Sequence, residues 1–598
     1  MNILDILLAR AMSSGGSTEA DVQNAVKRAN QAVTNAQTAV NEANSAVETI
    51  ENIIAQVPEF PTNVEVENEN TSTYVSESVV VEDKGTATYK NYKQIGENED
   101  GSMTQKAIKT HTDSLKTELE KKIKKNSLNF GEGNEGTIII VDNDGAPKLG
   151  KISEESIINT QIATGTYQAI DAVGIEINYS GKTFRRIQEA TSLSAGEDFN
   201  KFKMYGGMKR CMVNNSGRII AFCGQDNYSD RASNGYQTMV YIPRFYYMRH
   251  ILEETDDNKI SKEVLLISRV PQIGFKVHPA FINEDGEEVD YILYPAYEGC
   301  VFDVSKSQYN LADEGEVDFD ADMLSSIVGA KPASGLNNNL TITNAEKLAK
   351  NRGKGWHITS IKAEGAIQML AIVEFGTLNL QQEIGKGICN IENLPNINCS
   401  SYTGSTSELG NSTGRASSTV NERNGTEYTY AEDGKCSISY RGIEDLWGNI
   451  WRFVGGIQIL GDGTEQGGVP FICDSLDFEN GEYQSAGFNL PSQSGWISRF
   501  GRPVENYNWL FVPGEASGAN STLPIGDYVW IQPNLNSVNF AVMGGNWSFG
   551  DNDGIFYYGF DKDVDFYSRS YGARAMFIPK KNSTYEANIS AWNRLMGD

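Results

Sequence analysis

The feature that most constrains this chain is an unbroken series of apolar residues near its amino end, spaced alternately four and three apart. The series runs from residue 22 to residue 57, with alanines at intervals of seven beside it. Thr18 and Asp21 stand ahead of it as a capping box and Pro58 follows it, so the pattern predicts one long helix with a coiled-coil seam. Because the remaining faces are Asn, Gln, Thr and Glu, a partner must cover the seam.

We expect three copies of the chain to associate through this seam, since its β-branched and alanine-rich positions slightly favour three strands over two. The alternative is a single amphipathic helix that lies on the domain behind it.

Residues 1–18 are expected to form a virion-docking peptide ahead of the coiled coil at 19–57, with a frayed terminus as the alternative. Their apolar start is interrupted by Asp5 and Arg10 and is far shorter than the roughly 20 residues of a membrane span. It also lacks the features of a secretion signal, so we expect neither secretion nor membrane insertion.

Behind the seam, β-rich and helical stretches alternate. Residues 58–100 are polar and partly alternating, which predicts a small β-rich shaft segment. Residues 101–126 carry an apolar stripe at helical spacing, which predicts a second coiled-coil segment. The phrase DGSMTQKAI at its start resembles a motif that recurs in bacteriophage tail fibres just before a shaft segment. From residue 127 short apolar runs alternate with Gly, Asn and Asp turns, which predicts a β-rich connector at 127–200 and a larger domain at 201–598.

Composition narrows the class of protein. A formal net charge of -27 argues against a nucleic-acid partner, since phosphate recognition needs a basic stripe. Seven cysteines without a CxxC pair favour folding in a reducing cytoplasm, and four histidines argue against a metal site or catalytic triad built on His. Acidic stretches at 141–145, 318–322 and 550–554 read better as turns than as calcium sites, because none completes an EF-hand. We therefore expect no metal and no cofactor.

Four motifs follow one another in the last domain: GWHITSIKAE at 355–364, IEDLWGNIWRFVGG at 443–456, GGNW at 544–547 and YGARAMF at 571–577. In this order they resemble the signatures of the C-type-lectin-like domain shared by formylglycine-generating sulfatase-modifying proteins and the variable proteins of diversity-generating retroelements. The resemblance implies an α+β multidomain chain. Its parts would be an N-terminal trimeric coiled-coil shaft with small β segments, then a β-rich C-terminal C-type-lectin-like domain at 201–598.

The resemblance also implies a set of structural residues. The tryptophans would anchor the core, the glycines would permit close backbone approach, and the arginine would close the fold. The residue types agree with this, because tryptophans flanked by glycines in strand-length segments are more often packing than binding residues. The implied set is Trp447, Gly448, Asn449, Trp451, Gly544, Gly545, Trp547, Gly572 and Arg574.

The residues between the last two motifs are mostly aromatic, Asp, Ser and Gly, the types that make an adaptable binding surface. In the retroelement family, randomised adenine codons do not reach Lys, Glu, Gln, Met or Trp, and residues 548–571 contain only Lys562 of these types. An ordinary loop that happens to lack them is the alternative. We therefore predict a variable, receptor-binding loop at 548–571. Its expected ligand-binding residues are Ser548, Asp551, Asn552, Asp553, Ile555, Phe556, Tyr557, Tyr558, Phe560, Asp561, Asp563, Asp565, Phe566, Tyr567, Ser568, Ser570 and Tyr571.

Together these features predict a bacteriophage tail-fibre adhesin, made in the host cytoplasm and carried in the virion, that binds a glycan or protein receptor on the host surface. Its expected partners are further copies of itself in a homotrimer, tail or baseplate proteins at the amino terminus, and that receptor. A bacterial diversified surface adhesin is an alternative, but it should carry a secretion or lipid anchor. A formylglycine-generating-type enzyme is less favoured, because that family depends on late cysteines and none follows Cys473. We expect no enzymatic activity.

Overall fold

The computed structural model describes four short strands before residue 172 and most of the chain after it. The described residues are 80–81, 87–88, 137–141, 147–151 and 172–592, with gaps at 232–234, 256–258, 462, 464–466, 519–523, 533, 582–586 and 590–591. The chain divides into two compact units, Met1–Ser153 and Glu154–Asp598. The predicted docking peptide, the coiled coil at 19–57 and the helical segment at 101–126 lie outside the described residues.

In the first unit the described residues form two antiparallel hairpins. Strand β1 (Val80–Val81) pairs with β2 (Ala87–Thr88), and β3 (Thr137–Val141) pairs with β4 (Pro147–Lys151). The second hairpin begins with the apolar run TIIIV, whose β-branched residues favour a strand.

The second unit is built mainly from short strands. Up to residue 326 they are β5 (Ala172–Asn178), β6 (Thr183–Gln188), β7 (Lys209–Val213), β8 (Ile219–Phe222), β9 (Gln237–Pro243), β10 (Tyr246–Glu254), β11 (Ile260–Ser268), β12 (Lys276–Val277), β13 (Tyr291–Pro295), β14 (Gly299–Asp303), β15 (Gln308–Asn310) and β16 (Met323–Ser326). From residue 356 onward they are β17 (Trp356–Ile358), β18 (Gly414–Arg415), β19 (Thr419–Arg423), β20 (Thr426–Tyr430), β21 (Ile438–Tyr440), β22 (Ile443–Glu444), β23 (Trp451–Leu460), β24 (Val469–Cys473), β25 (Tyr483–Ser485), β26 (Gly495–Phe500), β27 (Pro513–Ser517), β28 (Tyr528–Trp530), β29 (Val538–Gly544), β30 (Gly554–Lys562), β31 (Tyr571–Gly572) and β32 (Ala575–Phe577).

Three sheets organise these strands. A five-stranded sheet has the order β12-β10-β11-β5-β6, and a six-stranded sheet has the order β17-β32-β13-β9-β7-β8. The largest sheet runs β25-β24-β23-β29-β30-β28-β26-β27, with β31 added parallel to β23. Smaller sheets join β15-β14-β16, β18-β21-β22 and β19-β20. Strands far apart in sequence are therefore neighbours, as β23, β29 and β30 show.

Among the described residues, the sheets are accompanied by the α-helices α1 (Lys203–Gly206), α2 (Ile342–Lys350), α3 (Ile361–Phe375) and α4 (Leu380–Ile384). The sequence explains the ends of α3, because Ser360 caps it by accepting a hydrogen bond from a backbone amide and Gly376 ends it with a φ of 67°. Every residue of α3 except Phe375 is buried. Its Glu364 forms an ion pair with Arg452 at 2.8 Å. This pairing compensates the Glu364 charge, because an unpaired charge in the interior is strongly destabilising.

The predicted fold class, an α+β multidomain chain with a coiled-coil shaft and a C-type-lectin-like domain, is wrong. The described residues are β-rich, with 36% in strands and 14% in helices. Their longest helix is α3, with 15 residues, and no coiled-coil shaft is present among them. The physical reason is that short apolar runs between turns pair into sheets, and α3, the longest described helix, packs against β5, β11 and β23 of those sheets.

The four motifs contribute strands to more than one sheet. The first motif supplies β17 and the start of α3, the second contains β22 and leads into β23, and the last supplies both β31 and β32. The motifs therefore contribute to three sheets, because β22 belongs to the β18-β21-β22 sheet. Strands β5 and β6 lie before residue 200, yet β5 pairs with β11 in the five-stranded sheet. The predicted boundary between 127–200 and 201–598 thus does not separate structural units.

Candidate recognition surface

The predicted receptor-binding loop at 548–571 is divided between a buried strand and an exposed loop. Strand β30 lies between β28 and β29 in the largest sheet, so it has neighbours on both edges. The predicted ligand-binding residues within it that are at most 1% exposed are Ile555, Phe556, Tyr557, Tyr558 and Phe560. In this conformation these five residues do not reach a receptor, and their assignment is corrected from binding surface to core.

Both faces of β30 are covered, which explains this burial. On one face Phe556 packs against Phe500, with the ring centroids 4.9 Å apart. On the other face Tyr557 packs against Trp451, with the ring centroids 4.5 Å apart. Successive residues of a strand point to opposite faces, and here the two faces meet two separate hydrophobic clusters. An uninterrupted aromatic run suits a strand that is buried on both sides.

Two further predicted ligand-binding residues, Asp553 and Tyr571, are buried as well. Asp553 lies beside Gly545, where an added side chain would collide with its carboxyl group. Asp527 accepts a hydrogen bond from the backbone amide of Phe556 at 2.8 Å. Burial raises the pKa of both carboxyl groups well above the usual range, and the charge of Asp527 raises the pKa of Asp553 further. The start of β30 therefore lies beside two buried carboxyl groups with raised pKa values and does not form an exposed binding surface.

The remaining predicted residues lie at the surface. The exposed ones are Asp551, Asp563, Asp565 and Tyr567, and the partly exposed ones are Ser548, Asn552, Asp561, Phe566, Ser568 and Ser570. Tyr567 keeps 46% of its surface exposed. Most of these residues form one continuous segment, called here the 561–570 loop.

Contacts with the neighbouring segments around Gly335 and Ile397 hold the 561–570 loop in place. The backbone amide of Gly335 donates a hydrogen bond to the Ser568 carbonyl at 3.0 Å. The Arg569 guanidinium donates to the Ile397 carbonyl at 2.6 Å and lies over the Trp547 ring at 5.5 Å. A loop that is already ordered loses less conformational entropy when it binds a ligand. The exposed side chains of the loop are thus presented on a defined backbone.

An irregularity in β30 brings Asp561 and Lys562 to the same face. Successive residues of a regular strand point apart, yet the Lys562 ammonium lies 2.6 Å from the Asp561 carboxylate. The pairing of β29 with β30 shifts register between Phe540, which is opposite Lys562, and Val542, which is opposite Gly559. This shift adds one residue to β30 and forms a β-bulge. The bulge therefore creates a partly exposed ion pair at the start of the loop.

Three aromatic residues that the sequence did not single out lie on β28, which pairs with β30, and on β26, the next strand of the sheet. Trp496 on β26 is paired in register with Tyr528 on β28, with ring centroids 5.4 Å apart. Trp530 follows on the same strand, 6.3 Å from the Tyr528 ring and 45% exposed. We call these three residues the aromatic strip. The alternation in DYVWIQ at 527–532 indicates a strand with one aromatic face, but it does not show that this face is uncovered.

The aromatic strip and the ion pair meet at Gly559. Trp530 is the partner of Gly559 in the parallel pairing of β28 with β30. A methyl group added to Gly559 would lie 2.9 Å from Val542, 3.7 Å from the Trp451 ring and 3.8 Å from a carboxylate oxygen of Asp561. Gly559 is itself buried, and Val542 already occupies the space that a side chain at this position would need.

A buried tyrosine hydroxyl adds a polar group to this region. The Tyr557 hydroxyl makes no hydrogen bond with any described residue. Burial raises the pKa of Tyr557 well above its usual range, and Asp553, Tyr571, Tyr528 and Asp561 raise it further. The Tyr557 ring lies 6.1 Å from the Tyr528 ring of the aromatic strip.

The other flank of the 561–570 loop borders an open cleft of about 370 Å³. Gly455 and Gly456 line it where β23 bulges away from β29, and the Phe478 ring packs over both glycines. Val538 and Val564 also line the cleft, and both are exposed. The loop therefore borders an open cleft that is lined mainly by apolar residues.

The residues predicted to be structural all lie in the interior. They are Trp447, Gly448, Asn449, Trp451, Gly544, Gly545, Trp547, Gly572 and Arg574. The Asn449 amide donates to Glu298 at 2.5 Å and accepts from the backbone amide of Ser401 at 2.7 Å, as a buried amide requires. Arg574 lies 3.7 Å from Glu298, and burial raises the pKa of this carboxyl to about 7.

Other kinds of site find little support among the described residues. They contain no group of three or more His, Cys, Asp or Glu side chains placed to hold a metal ion. All seven cysteines are unpaired. His357 is buried, with Nδ1 2.9 Å from Glu346, which is the environment of a structural histidine. Within the part of the chain that is described, no helix is long and apolar enough to cross a membrane.

Comparison with known families finds no family model that matches this chain. A search of curated proteins finds no match either. A functional assignment therefore rests on the recognition surface itself.

Proposed function

We propose that this chain is the adhesin of a bacteriophage tail fibre and binds a host-surface receptor through the 561–570 loop and the aromatic strip. The observation that carries the proposal is a set of exposed Asp and Tyr side chains and partly exposed Ser side chains on a loop with a fixed backbone. Such residues recur in binding loops because tyrosine combines a large contact area with little entropy loss, while short polar side chains supply hydrogen bonds.

We expect the residues of the recognition surface to contribute unequally to the binding energy. Binding energy usually concentrates in a few aromatic anchors, and the surrounding polar contacts contribute less. Tyr567 and Trp530 are the exposed aromatic residues of this surface. We therefore expect them to dominate affinity, with Asp563 and Asp565 contributing to specificity and to the rate of association.

The other parts of the proposal concern assembly. The amino-terminal region would attach the chain to tail or baseplate proteins, the chain would act as a homotrimer in the virion, and no nucleic acid or cofactor would take part. Several copies on one virus would multiply the effect of each weak contact, since linked sites bind with a raised effective concentration.

A competition experiment tests the proposal. The fluorescently labelled full-length chain is applied to bacterial strains that the virus encoding it infects, and unlabelled chain is then added during infection. We expect saturable cell binding and a concentration-dependent loss of virus adsorption. A folded chain that neither binds these cells nor slows adsorption would refute the proposal.

Matched variants separate this surface from the rest of the molecule. Tyr567→Ala should weaken cell binding, whereas Tyr428→Ala should not, because Tyr428 is a comparably exposed tyrosine, at 40%, on the separate β19-β20 hairpin. The neighbouring genes provide an independent check. Tail genes beside this gene support a virion adhesin, and a reverse transcriptase with a matching template repeat would show that the segment is diversified.

A further inference from the structure

The open cleft of about 370 Å³ beside the 561–570 loop has a mainly apolar interior and an acidic rim. It is called here the Phe478 cleft, after a ring that forms part of its wall. We infer that it binds a segment of a host-surface protein in which an aliphatic side chain stands next to a lysine or arginine. This inference rests on the proposed adhesin function and specifies the chemical class of receptor.

The interior of the Phe478 cleft is apolar because β23 bulges there. The pairing of β23 with β29 shifts register between Val454 and Gln458, so Gly455 and Gly456 lie outside the regular ladder. The Phe478 ring packs against both glycines, and a side chain added to Gly455 would collide with it. Phe478 itself is only partly buried. The bulge therefore leaves aromatic and aliphatic surface facing a space that the described residues do not fill.

Exposed aliphatic side chains continue this apolar surface out of the cleft. Val538 and Val564 line the cleft and keep 48% and 52% of their surface exposed. Leu460 is the partner of Val538 in the pairing of β23 with β29 and is 44% exposed. Directly opposite residues of two paired strands lie on the same face. A contiguous apolar patch of this kind marks an interaction surface, whereas single exposed apolar residues do not.

The buried carboxylate in the wall of the cleft is already compensated. Glu346 accepts a hydrogen bond from the backbone amide of Ile358 at 2.8 Å, and its carboxylate lies 3.3 Å from the Lys350 ammonium. A cation of the ligand therefore gains little by reaching into the cleft, where it would lose its hydration. An aliphatic side chain suits the interior better.

The rim carries carboxylates without such partners. Glu479 lines the cleft and is exposed. Asp563 and Asp565 are exposed as well and flank the loop valine that lines the cleft. None of these three residues forms an ion pair with a described residue, and the adjacent Lys562 is already paired with Asp561 at 2.6 Å. A lysine or arginine beside the aliphatic side chain of the ligand therefore meets uncompensated negative charge.

The same features disfavour other occupants. A second copy of the chain would bring a second acidic rim against the first, and each chain carries a formal net charge of -27. The anionic groups of a glycolipid would meet the same repulsion. A neutral glycan would place its hydroxyls against Val538 and Val564, which offer them no hydrogen bonds. A protein segment with an aliphatic and a basic side chain fits both the interior and the rim.

Treatment of host cells tests the class of receptor. The labelled full-length chain is applied to host cells that have been exposed to protease or to periodate, which oxidises sugars. We expect binding to be lost after protease and kept after periodate. Loss of binding after periodate, or binding that survives protease, would overturn the inference, while the adhesin proposal would stand.

Matched variants test whether the contact lies in the cleft. Val538→Ser removes an exposed aliphatic side chain and Glu479→Lys reverses a rim charge. We expect each change to weaken binding to untreated cells about tenfold. Val420→Ser and Glu427→Lys make the same changes at exposed positions of the β19-β20 hairpin and should leave binding unchanged. Circular dichroism in the near ultraviolet verifies folding, and Val564→Ser replaces Val538→Ser if that variant does not fold.

Synthetic peptides test the ligand chemistry directly. Immobilised peptides carry Leu or Ile next to Lys or Arg in a Gly and Ser background. Comparator peptides have Ser in place of the aliphatic residue or Glu in place of the basic residue. We expect the parent chain to bind the aliphatic–basic peptides about tenfold more strongly than either comparator. This binding should weaken as the salt concentration rises, because exposed charges are screened, and Val538→Ser and Glu479→Lys should lose the preference.

Three further results would overturn the inference. These are equal binding to all three classes of peptide, equal binding by the parent and the two cleft variants, and a lower oligomeric state of Val538→Ser in sedimentation. The last result would assign the cleft to contacts between copies of the chain. Binding to the aliphatic–basic peptides without binding to host cells would instead support the cleft and refute the adhesin.

Discussion

Strand β30 and the 561–570 loop follow one another in sequence and share Asp561 and Lys562, yet they have opposite roles in the structure. Both contain Tyr, Phe and Asp. The aliphatic and aromatic residues of β30 from Ile555 to Phe560 are buried in two hydrophobic clusters, whereas Tyr567 in the loop remains exposed. The difference arises from the surroundings of each segment. Strand β30 is hydrogen-bonded to a strand on both edges, whereas other parts of the chain cover only one side of the 561–570 loop.

The comparison shows that composition identifies a type of surface but not its location. Tyrosine and phenylalanine serve equally in a core and in a binding loop, since both roles use large, rigid, mostly apolar side chains. The boundary between the two regions falls just after the β-bulge near Asp561, since β30 ends at Lys562, which still pairs with Phe540. Five predictions test or sharpen this contrast.

The largest effect is expected for Trp451→Ala. Trp451 packs against Tyr557 at 4.5 Å and against Tyr571 at 6.1 Å, so it lies beneath both regions. The change should lower the free energy of unfolding by about 3–5 kcal/mol, because it removes buried surface and leaves a cavity. Chemical denaturation of the full-length chain measures this, with the exposed Trp530→Ala as the matched control at less than about 1 kcal/mol. Equal stability losses for the two would contradict the contrast.

Two phenylalanines, Phe556 in β30 and Phe566 in the loop, allow the buried and exposed regions to be compared with the same substitution. Phe556→Ala in β30 should cost about 3 kcal/mol or more. Phe566→Ala in the loop should cost roughly 1 kcal/mol, because Phe566 is only partly buried against Tyr571, with ring centroids 4.9 Å apart. Thermal unfolding of both variants gives the comparison. Should Phe556→Ala keep the parent's stability, β30 does not belong to the core.

The buried acids predict a pH dependence. Burial raises the pKa of Asp553 well above its ordinary value of 3.8, so the folded chain keeps a proton that the unfolded chain loses. Stability should therefore fall as the pH rises from about 4 through the folded pKa, by up to about 1.4 kcal/mol per pH unit for this group.

Asp553→Asn should flatten that slope, because an amide does not ionise. The exposed loop variant Asp563→Asn is the control and should leave the slope unchanged. Denaturation curves between pH 4 and 7 measure both. A slope that Asp553→Asn leaves untouched would show that this carboxyl does not carry the effect.

Arg569→Ala tests whether the loop is fixed in advance. It removes the hydrogen bonds from Arg569 to Ile397 and Asn393 and the contact with Trp547. We expect a stability loss of roughly 1–2 kcal/mol, with faster hydrogen exchange in residues 561–570 and weaker cell binding. Unchanged exchange would mean that other contacts order the loop.

The smallest stability effect is expected for Tyr567→Ala, within about 0.5 kcal/mol of the parent, because surface substitutions away from special features are nearly neutral. Cell binding should nevertheless fall by about tenfold or more if Tyr567 is an anchor. A variant that binds as the parent does would remove Tyr567 from the recognition surface and leave Trp530 as the main anchor.

Local features of the fold could be predicted from the sequence. The apolar runs around Ile219 and Leu265 form the strands β8 and β11 that their length and flanking turn residues predict, and Ser360 and Gly376 mark the ends of α3. The sequence could also predict which part of residues 548–571 is exposed, because Asp563, Asp565 and Tyr567 are polar or amphipathic and lie between turns. In each case the decisive contacts are local, so the sequence pattern carries the information.

Sheet partners could not be predicted in the same way. Trp530 comes to lie beside Gly559 because β28 and β30 pair in parallel, and a pairing between strands separated by a long connection leaves no periodic trace in either strand. The bulge that brings Asp561 and Lys562 together arises from the register of β30 against β29. The sequence thus determined which segments are strands, turns and capped helices, since those depend on near neighbours. Only the tertiary structure decided which aromatic residues are core and which are surface, because burial depends on what packs across the sheet.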